Sequence, residues 1–261
     1  MLGAMRPLAV VTGASRGIGL AIADHLADDH DLILVARDPE RLERSAREHL
    51  AKATIIARET ADLSTRDGTQ ALTSSLLRLV GALGRTITVL VNNAGMAASA
   101  PLHRSDDDLF DRLLAVNARA PFTLARALIP GMIEAGGGRV ITIASTAALK
   151  GYPYTSAYSA SKAAVLGWTR ALAVEVARVG VTVNAVCPGF TDTDIASDAI
   201  ATIQRTTERS AAEAQASLAR FSPQRRLLDP AEVAALVSYL ASPAAAAING
   251  QALAIDGGET A

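Results

Sequence analysis

Short apolar runs alternate with longer amphipathic stretches along this chain, and the alternation predicts strands and helices in turn. Leu8 to Thr12 is apolar and stops at Gly13, as a buried parallel strand does. A helical pattern follows through Leu26, and Asp31 to Ala36 is the second strand. Pro39 to Leu50 opens on a proline suited to a first helical turn, and its many charges predict an exposed helix. Ala53 to Ala57 predicts a third strand, Thr65 to Leu83 an amphipathic helix, and Ile87 to Val91 a fourth strand. Ser105 to Ala115 reads as a helix with Ser105 as N-cap and acids in its first turn. Asn117 lies in the continuing helical region, where an asparagine implies a local job or a kink. Gly136-Gly137-Gly138 predicts a turn, because the strand Arg139 to Ala144 follows it. A helix then carries Tyr158 and Lys162, and Val181 to Val186 is a further strand.

Asp194 to Arg220 is polar, alanine-rich and weakly periodic. It breaks the alternation and predicts a mobile helical lid within residues 190–226. Pro230 to Ala241 is a helix with Asp229 as N-cap, and Ala252 to Ile255 a last strand. No repeat or linker divides the chain. The expectation is one α/β domain over residues 1–261, a Rossmann-type doubly wound sheet of about seven parallel strands with helices on both faces.

Composition narrows the class. With 261 residues, 50% of them hydrophobic, the chain can bury a large core. A formal net charge of -1 supplies no field for nucleic acid or an anionic membrane, and 3% aromatic residues argue against base-stacking platforms. No apolar run is long enough to span a bilayer, and no basic, apolar leader precedes Leu8. A cytoplasmic location is therefore the default expectation. The single cysteine, Cys187, excludes an internal disulfide framework and suits a small buried apolar residue. His25, His30, His49 and His103 lack metal-ligand spacing, so no metal is expected.

Candidate chemistry sits at strand ends. Gly13-Ala14-Ser15-Arg16-Gly17-Ile18-Gly19 joins a strand to a helix, the context a dinucleotide-binding turn requires. Its spacing is G-x-x-x-G-x-G rather than G-x-G-x-x-G, and a tight turn without ligand is the alternative. The second strand ends in Ala36-Arg37. Arg16 and Arg37 could clamp a 2′-phosphate through charge-assisted bonds of roughly 1.5–3 kcal/mol each, which favours NADP(H). Asp38, one place later, keeps NAD(H) open. Asn92-Asn93-Ala94-Gly95 either ties loops together or contacts a ligand. Tyr158 and Lys162 stand four apart, so a helix stacks them on one face. A free phenol titrates near pH ~10, and a nearby ammonium favours phenolate. Lysine is scarce: Lys52, Lys150 and Lys162 are the whole set. Tyr152, Tyr154 and Tyr239 have no lysine at that offset. Alone, the pair divides between a surface contact and a catalytic dyad.

These markers, in this order, resemble the single-domain short-chain dehydrogenase/reductase family, over nearly the whole chain. They are Thr12-Gly13-x-x-x-Gly17-x-Gly19, Asp62, Asn92-Asn93-Ala94-Gly95, Asn117, Ser145, Tyr158-x-x-x-Lys162 and Pro188-Gly189. The resemblance extends to 3-oxoacyl and polyketide ketoreductases. It implies that Tyr158 donates a proton to a substrate carbonyl, Lys162 lowers the phenol pKa and bonds the nicotinamide ribose, and Ser145 orients the carbonyl. Asn117 would hold a water linking Lys162 to solvent. Cofactor contacts are implied for Gly13, Ser15, Arg16, Gly17, Ile18, Gly19, Arg37, Asp62, Leu63, Asn93, Ala94, Gly95, Tyr158, Lys162, Pro188, Gly189, Thr191 and Thr193. The implied function is NADPH-dependent reduction of a ketone or 3-oxoacyl group on a small molecule or acyl thioester. Arg220, Arg225 and Arg226 could meet a carrier's phosphate, or form only a surface basic cluster. Oxidation of an alcohol, 3-hydroxyacyl-CoA or sugar with NAD is the enzymatic alternative, and a cofactor-sensing protein the non-enzymatic one. The family also implies a homodimer or homotetramer.

Overall fold

A computed structural model describes residues 5–261. Among them, seven strands form one parallel sheet: β1 (Leu8–Thr12), β2 (Asp31–Ala36), β3 (Ile55–Thr60), β4 (Ile87–Asn92), β5 (Gly138–Ile143), β6 (Val181–Pro188) and β7 (Ala252–Ile255). The helices are α1 (Gly17–Leu26), α2 (Pro39–His49), α3 (Arg66–Leu83), α4 (Asp107–Leu114), α5 (Ala120–Glu134), α6 (Ser156–Val176), α7 (Asp194–Thr206), α8 (Ala211–Ala219) and α9 (Pro230–Ala241). Spatial order is β3-β2-β1-β4-β5-β6-β7. The order reverses between β1 and β4, which opens a crevice beyond their C-terminal ends.

β1, β2 and β6 are buried along their whole length, which is why β1 and β2 read as largely apolar runs; β6 buries Thr182 and Asn184 as well, the latter donating to Ile248 O at 2.7 Å. Alternation survives inside those runs. Ala9 and Val11 enter one core with Ile22 and Leu26 of α1, Leu42 of α2 and Val237 of α9. Leu8 and Val10 enter the other with Leu76 of α3, Leu124 of α5 and Val176 of α6. Each fully buried leucine contributes about 1.5–3 kcal/mol, and this two-sided core holds the crevice residues in register.

Several local expectations change. β3 runs over Ile55–Thr60 rather than 53–57. It is an edge strand with partly exposed residues, so Arg58, Glu59 and Thr60 pair with β2 without being apolar. Helix α4 is capped by Asp106, which accepts from Leu109 N at 2.8 Å. Ser105 instead turns its hydroxyl back, donating to Pro101 O at 3.3 Å. The 194–220 stretch forms two helices, α7 and α8. Its periodicity is faint because few of its residues are buried, Ala196, Ala214 and Leu218 among them.

Candidate active site

The glycine turn leads straight from β1 into α1. Gly13 and Gly17 adopt φ of +68° and +52°, a left-handed region that disfavours side chains. A Cβ on Gly19 would stand 2.2 Å from Gly13 O, so only glycine closes this turn. No side chain caps the start of α1. Its first N–H groups therefore remain for an anion at the positive end of the helix dipole. These residues fit the diphosphate of a dinucleotide. Asn93, at the end of β4, donates to Thr12 O at 2.9 Å and Gly13 O at 3.3 Å. It ties the β4 end to the turn, the loop-tying role that its strand-end position allowed.

Asp38 also has a structural job. Its Oδ1 accepts from Arg41 N at 3.0 Å and caps α2. One oxygen of the acid that kept NAD open thus serves a helix terminus. Arg37, exposed at the end of β2, lies close enough to Asp62 to hold its carboxyl down, after the larger effect of Ser64's hydrogen bonds. Leu63 beside it is buried.

The proton-handling groups meet where β4, β5 and α6 converge. Ser145 follows β5, and its Oγ accepts from Ala147 N at 3.1 Å. Tyr158 lies in the first turn of α6. Although the residue keeps some exposed surface, desolvation dominates and pushes the phenol pKa up, while the hydroxyl of Ser145 offsets part of that rise. Lys162 lies one turn on, 5% exposed, with Nζ 5.9 Å from the centroid of the Tyr158 ring. It donates to Ile143 O at 2.8 Å. Burial pulls its pKa down to about 8. Lys162 does not figure among the groups that shift this phenol. Ser145 is the group that lowers the phenol pKa, and Lys162 is itself close to losing its charge.

Asn117 occupies a five-residue π-helical segment, Ala115–Arg119, between α4 and α5. The widened turn aims its buried side chain inward. Its amide donates to Met96 O and Ser161 Oγ, both at 2.9 Å, and accepts from Met96 N at 3.0 Å. Ser161 in turn donates to Tyr158 O at 2.7 Å. Asn117 thus fastens the β4 loop to the start of α6, and its amide protons are spent on protein. Gly95 sits between: a Cβ there would stand 3.1 Å from Asn117 Oδ1 and 3.4 Å from Lys162 Nζ.

Beyond β6, Pro188 is buried, Gly189 N donates to Ile255 O at 3.0 Å, and Thr191 Oγ1 donates to Gly189 O at 3.0 Å. Thr193 packs on the glycine turn, its Cγ2 3.1 Å from where a Cβ of Gly17 would be. Sequence reasoning missed the aromatic wall beside this loop. Phe190 and Phe221 stack at 5.4 Å, and Tyr152 meets Phe221 edge-on at 5.6 Å. The Tyr152 hydroxyl donates to Glu259 Oε1. Only the scarcity of Phe and Tyr, four of each, could have drawn notice to them. Arg226, one of the three basic candidates, is held by both carboxylate oxygens of Glu232 at 2.6 and 2.7 Å.

A glycine turn, a serine at the β5 tip and a Tyr-x-x-x-Lys helix facing one crevice agree with a family comparison. The model of the family described as short chain dehydrogenase matches residues 7–204. The chain belongs to the short-chain dehydrogenase family. As such it is an NAD(P)-dependent oxidoreductase. Its similarity to members of this family extends end to end. It is 38% identical over 262 residues to the 2-(R)-hydroxypropyl-CoM dehydrogenase of Xanthobacter autotrophicus, covering 98% of this chain and 100% of the relative. It is 34% identical over 252 residues to a 3-oxoacyl-[acyl-carrier-protein] reductase of Vibrio harveyi, covering 96% of each. Its backbone resembles the crystal structure of a single-site variant of actinorhodin polyketide ketoreductase with NADPH. That match has a TM-score of 0.89 and 36% identity, and covers 98% of this chain and 97% of the other. Among the described residues, no helix is long and apolar enough to cross a membrane.

Proposed function

We propose that this chain is an NADPH-dependent reductase of a ketone or 3-oxoacyl thioester. The observation that carries the reading is the convergence of Ser145, Tyr158 and Lys162 at one crevice, with Gly95 leaving room beside the lysine. With its diphosphate held at the glycine turn, a bound NADPH would supply hydride to the carbonyl carbon. Tyr158 Oη gives its proton to the carbonyl oxygen, and Ser145 Oγ donates a hydrogen bond that orients that oxygen. Burial makes the phenol poorly acidic, which keeps it protonated and ready to act as an acid. Lys162 holds the nicotinamide ribose and passes a proton toward Tyr158. Its depressed pKa lets it release that proton near neutral pH. Asn117 fixes the start of α6 so that this geometry survives turnover.

Gly13, Ser15, Arg16, Gly17, Ile18 and Gly19 would hold the diphosphate, Asp62 and Leu63 the adenine, and Asn93 and Ala94 the adenosine side. Gly95 would lie beside Lys162, and Pro188, Gly189, Thr191 and Thr193 would frame the nicotinamide. Asp38's engagement as a helix cap favours NADPH over NAD. The acyl-carrier relative favours a 3-oxoacyl thioester, whose phosphate arm would meet Arg220 and Arg225, both exposed, rather than Arg226, which Glu232 holds. Residues 190–226 act as the lid. A homodimer or homotetramer and a cytoplasmic location complete the reading. Val174, 80% exposed on α6, favours burial against another copy. The second reading, oxidation of an alcohol, draws on the relative named a hydroxypropyl-CoM dehydrogenase.

The test is Tyr158→Phe, assayed by NADPH oxidation with short 3-oxoacyl thioesters and simple ketones. Turnover should fall by about 10²–10⁴-fold while NADPH binding persists. A variant retaining most of the rate would remove Tyr158 as the proton donor.

A further inference from the structure

Two arginines from different elements converge on one lid carboxylate. Arg16, in the glycine turn, donates through Nη1 to Asp194 Oδ2. Arg41, in the first turn of α2, donates through Nη2 to the same oxygen at 2.8 Å. Asp194 is the first residue of α7, directly after Thr193, which packs on Gly17. The lid helix is therefore tethered, at its first turn, to the cofactor side of the crevice.

Arg41 is held there from both ends of its turn. Its backbone N–H is fixed by the Asp38 cap, and one turn later Ser45 Oγ donates to Ser15 O at 2.8 Å, pinning α2 to the glycine turn. Arg37, by contrast, shares no carboxylate with Arg16; its charge acts on Asp62, as the smallest of the causes that lower that carboxyl's pKa. So the partner of Arg16 across the adenosine side is Arg41, four residues beyond the position where the sequence drew the eye. Charge is unbalanced at this point. Two guanidinium groups face one carboxylate, leaving an excess positive charge that a dianionic phosphate would match better.

We propose that Arg41, together with Arg16, selects the 2′-phosphate of the cofactor, and that Asp194 occupies that phosphate's place until it arrives. The proposal rests on the NADPH reading above. Cofactor entry then exchanges a carboxylate for a phosphate at the two arginines and releases the first turn of the lid from its tether. NADH, lacking the 2′-phosphate, leaves the Asp194 contacts in place.

The experiment measures dissociation constants of NADPH and NADH by cofactor fluorescence on the purified protein and on Arg41→Gln, Asp194→Asn and Arg44→Gln. Arg44 is an exposed arginine of α2 that serves as a control for general loss of charge. Arg41→Gln should weaken NADPH about tenfold and leave NADH within about twofold. Asp194→Asn removes the competitor and should tighten NADPH roughly threefold, with NADH unmoved, since exposed ion pairs of this kind are individually weak. Arg44→Gln should change neither constant by more than about twofold. If the unaltered protein does not prefer NADPH, both the NADPH reading and this proposal fall. If it prefers NADPH but Arg41→Gln shifts both cofactors alike, or matches Arg44→Gln, Arg41 is not the selector. If Asp194→Asn weakens NADPH, Asp194 organises the arginines and does not compete for them.

Discussion

Two tyrosines flank the same crevice, and each has a lysine near its ring. Tyr158 on α6 has Lys162 Nζ at 5.9 Å from its centroid, and Tyr152 in the loop before α6 has Lys150 Nζ at 5.1 Å. Burial raises the pKa of both phenols. What separates them is the partner on the hydroxyl. Tyr158 meets Ser145, an uncharged group that lowers its pKa. Tyr152 meets the carboxylate of Glu259, which adds to the rise caused by burial. A phenolate at Tyr152 would face a carboxylate, so that hydroxyl is fixed as a structural donor. A phenolate at Tyr158 would face a hydroxyl and a lysine. A lysine beside a tyrosine therefore does not by itself mark the proton donor.

The largest expected effect comes from removing the lysine on the α6 side. Lys162→Met should lower turnover by about 10²-fold or more. The same substitution also tests the cost of burying that ammonium. Burial in the fold brings the pKa of Lys162 to about 8, against 10.5 for an unperturbed lysine. Between those values the unfolded chain holds the proton and the folded chain does not, so stability rises with pH through that window. The gain is on the order of 3 kcal/mol. Denaturant unfolding at pH 7.5 and 10 should show it as a difference between the unaltered protein and Lys162→Met. Parallel pH profiles for the two proteins would mean that Lys162 is not desolvated as the fold implies.

Tyr152→Phe comes next and should act on stability, not chemistry. It removes a donor from Glu259, whose side chain is 1% exposed and whose Oε2 already lacks a partner. Leaving a buried acceptor further unsatisfied costs about 1–3 kcal/mol. Urea unfolding should register that loss while turnover stays within about threefold. A loss of turnover comparable to that of Tyr158→Phe, with stability intact, would reverse the roles of the two tyrosines.

Sequence carried one of these tyrosine sites and hid the other. Tyr158 and Lys162 are one helical turn apart, so their proximity is a local fact. Tyr152 and Glu259 are 107 positions apart and meet only because β7 ends beside β6. The sheet was legible for a related reason. A parallel strand buried on both faces must be apolar throughout, and Leu8–Thr12 and Asp31–Ala36 announce themselves as such. Where burial is partial, as in β3 and α7, boundaries blur. The Arg41–Asp194 contact spans 153 positions between two exposed helix starts, and no local pattern signals it. Asn117 lay between, since its position suggested a local role but the π-helical turn that aims it needed coordinates.

The smallest effect falls on the other lysine and completes the contrast. Lys150 Nζ lies 3.4 Å from Glu259 Oε1 and donates to Glu259 O at 3.0 Å, but its side chain is 36% exposed. Water screens the ammonium end of the pair, but Glu259 is buried and would lose one of its two partners. Lys150→Met should therefore cost about 1–2 kcal/mol in urea unfolding, no more than Tyr152→Phe, and leave turnover unchanged. Tyr152 would still donate to Glu259, so the aromatic wall with Phe190 and Phe221 should stand. If Lys150→Met instead lowered turnover as steeply as Lys162→Met, the hydroxyl's partner would no longer be what distinguishes the two sites. The nearby ammonium would then govern both, and Tyr152 would have to enter the chemistry.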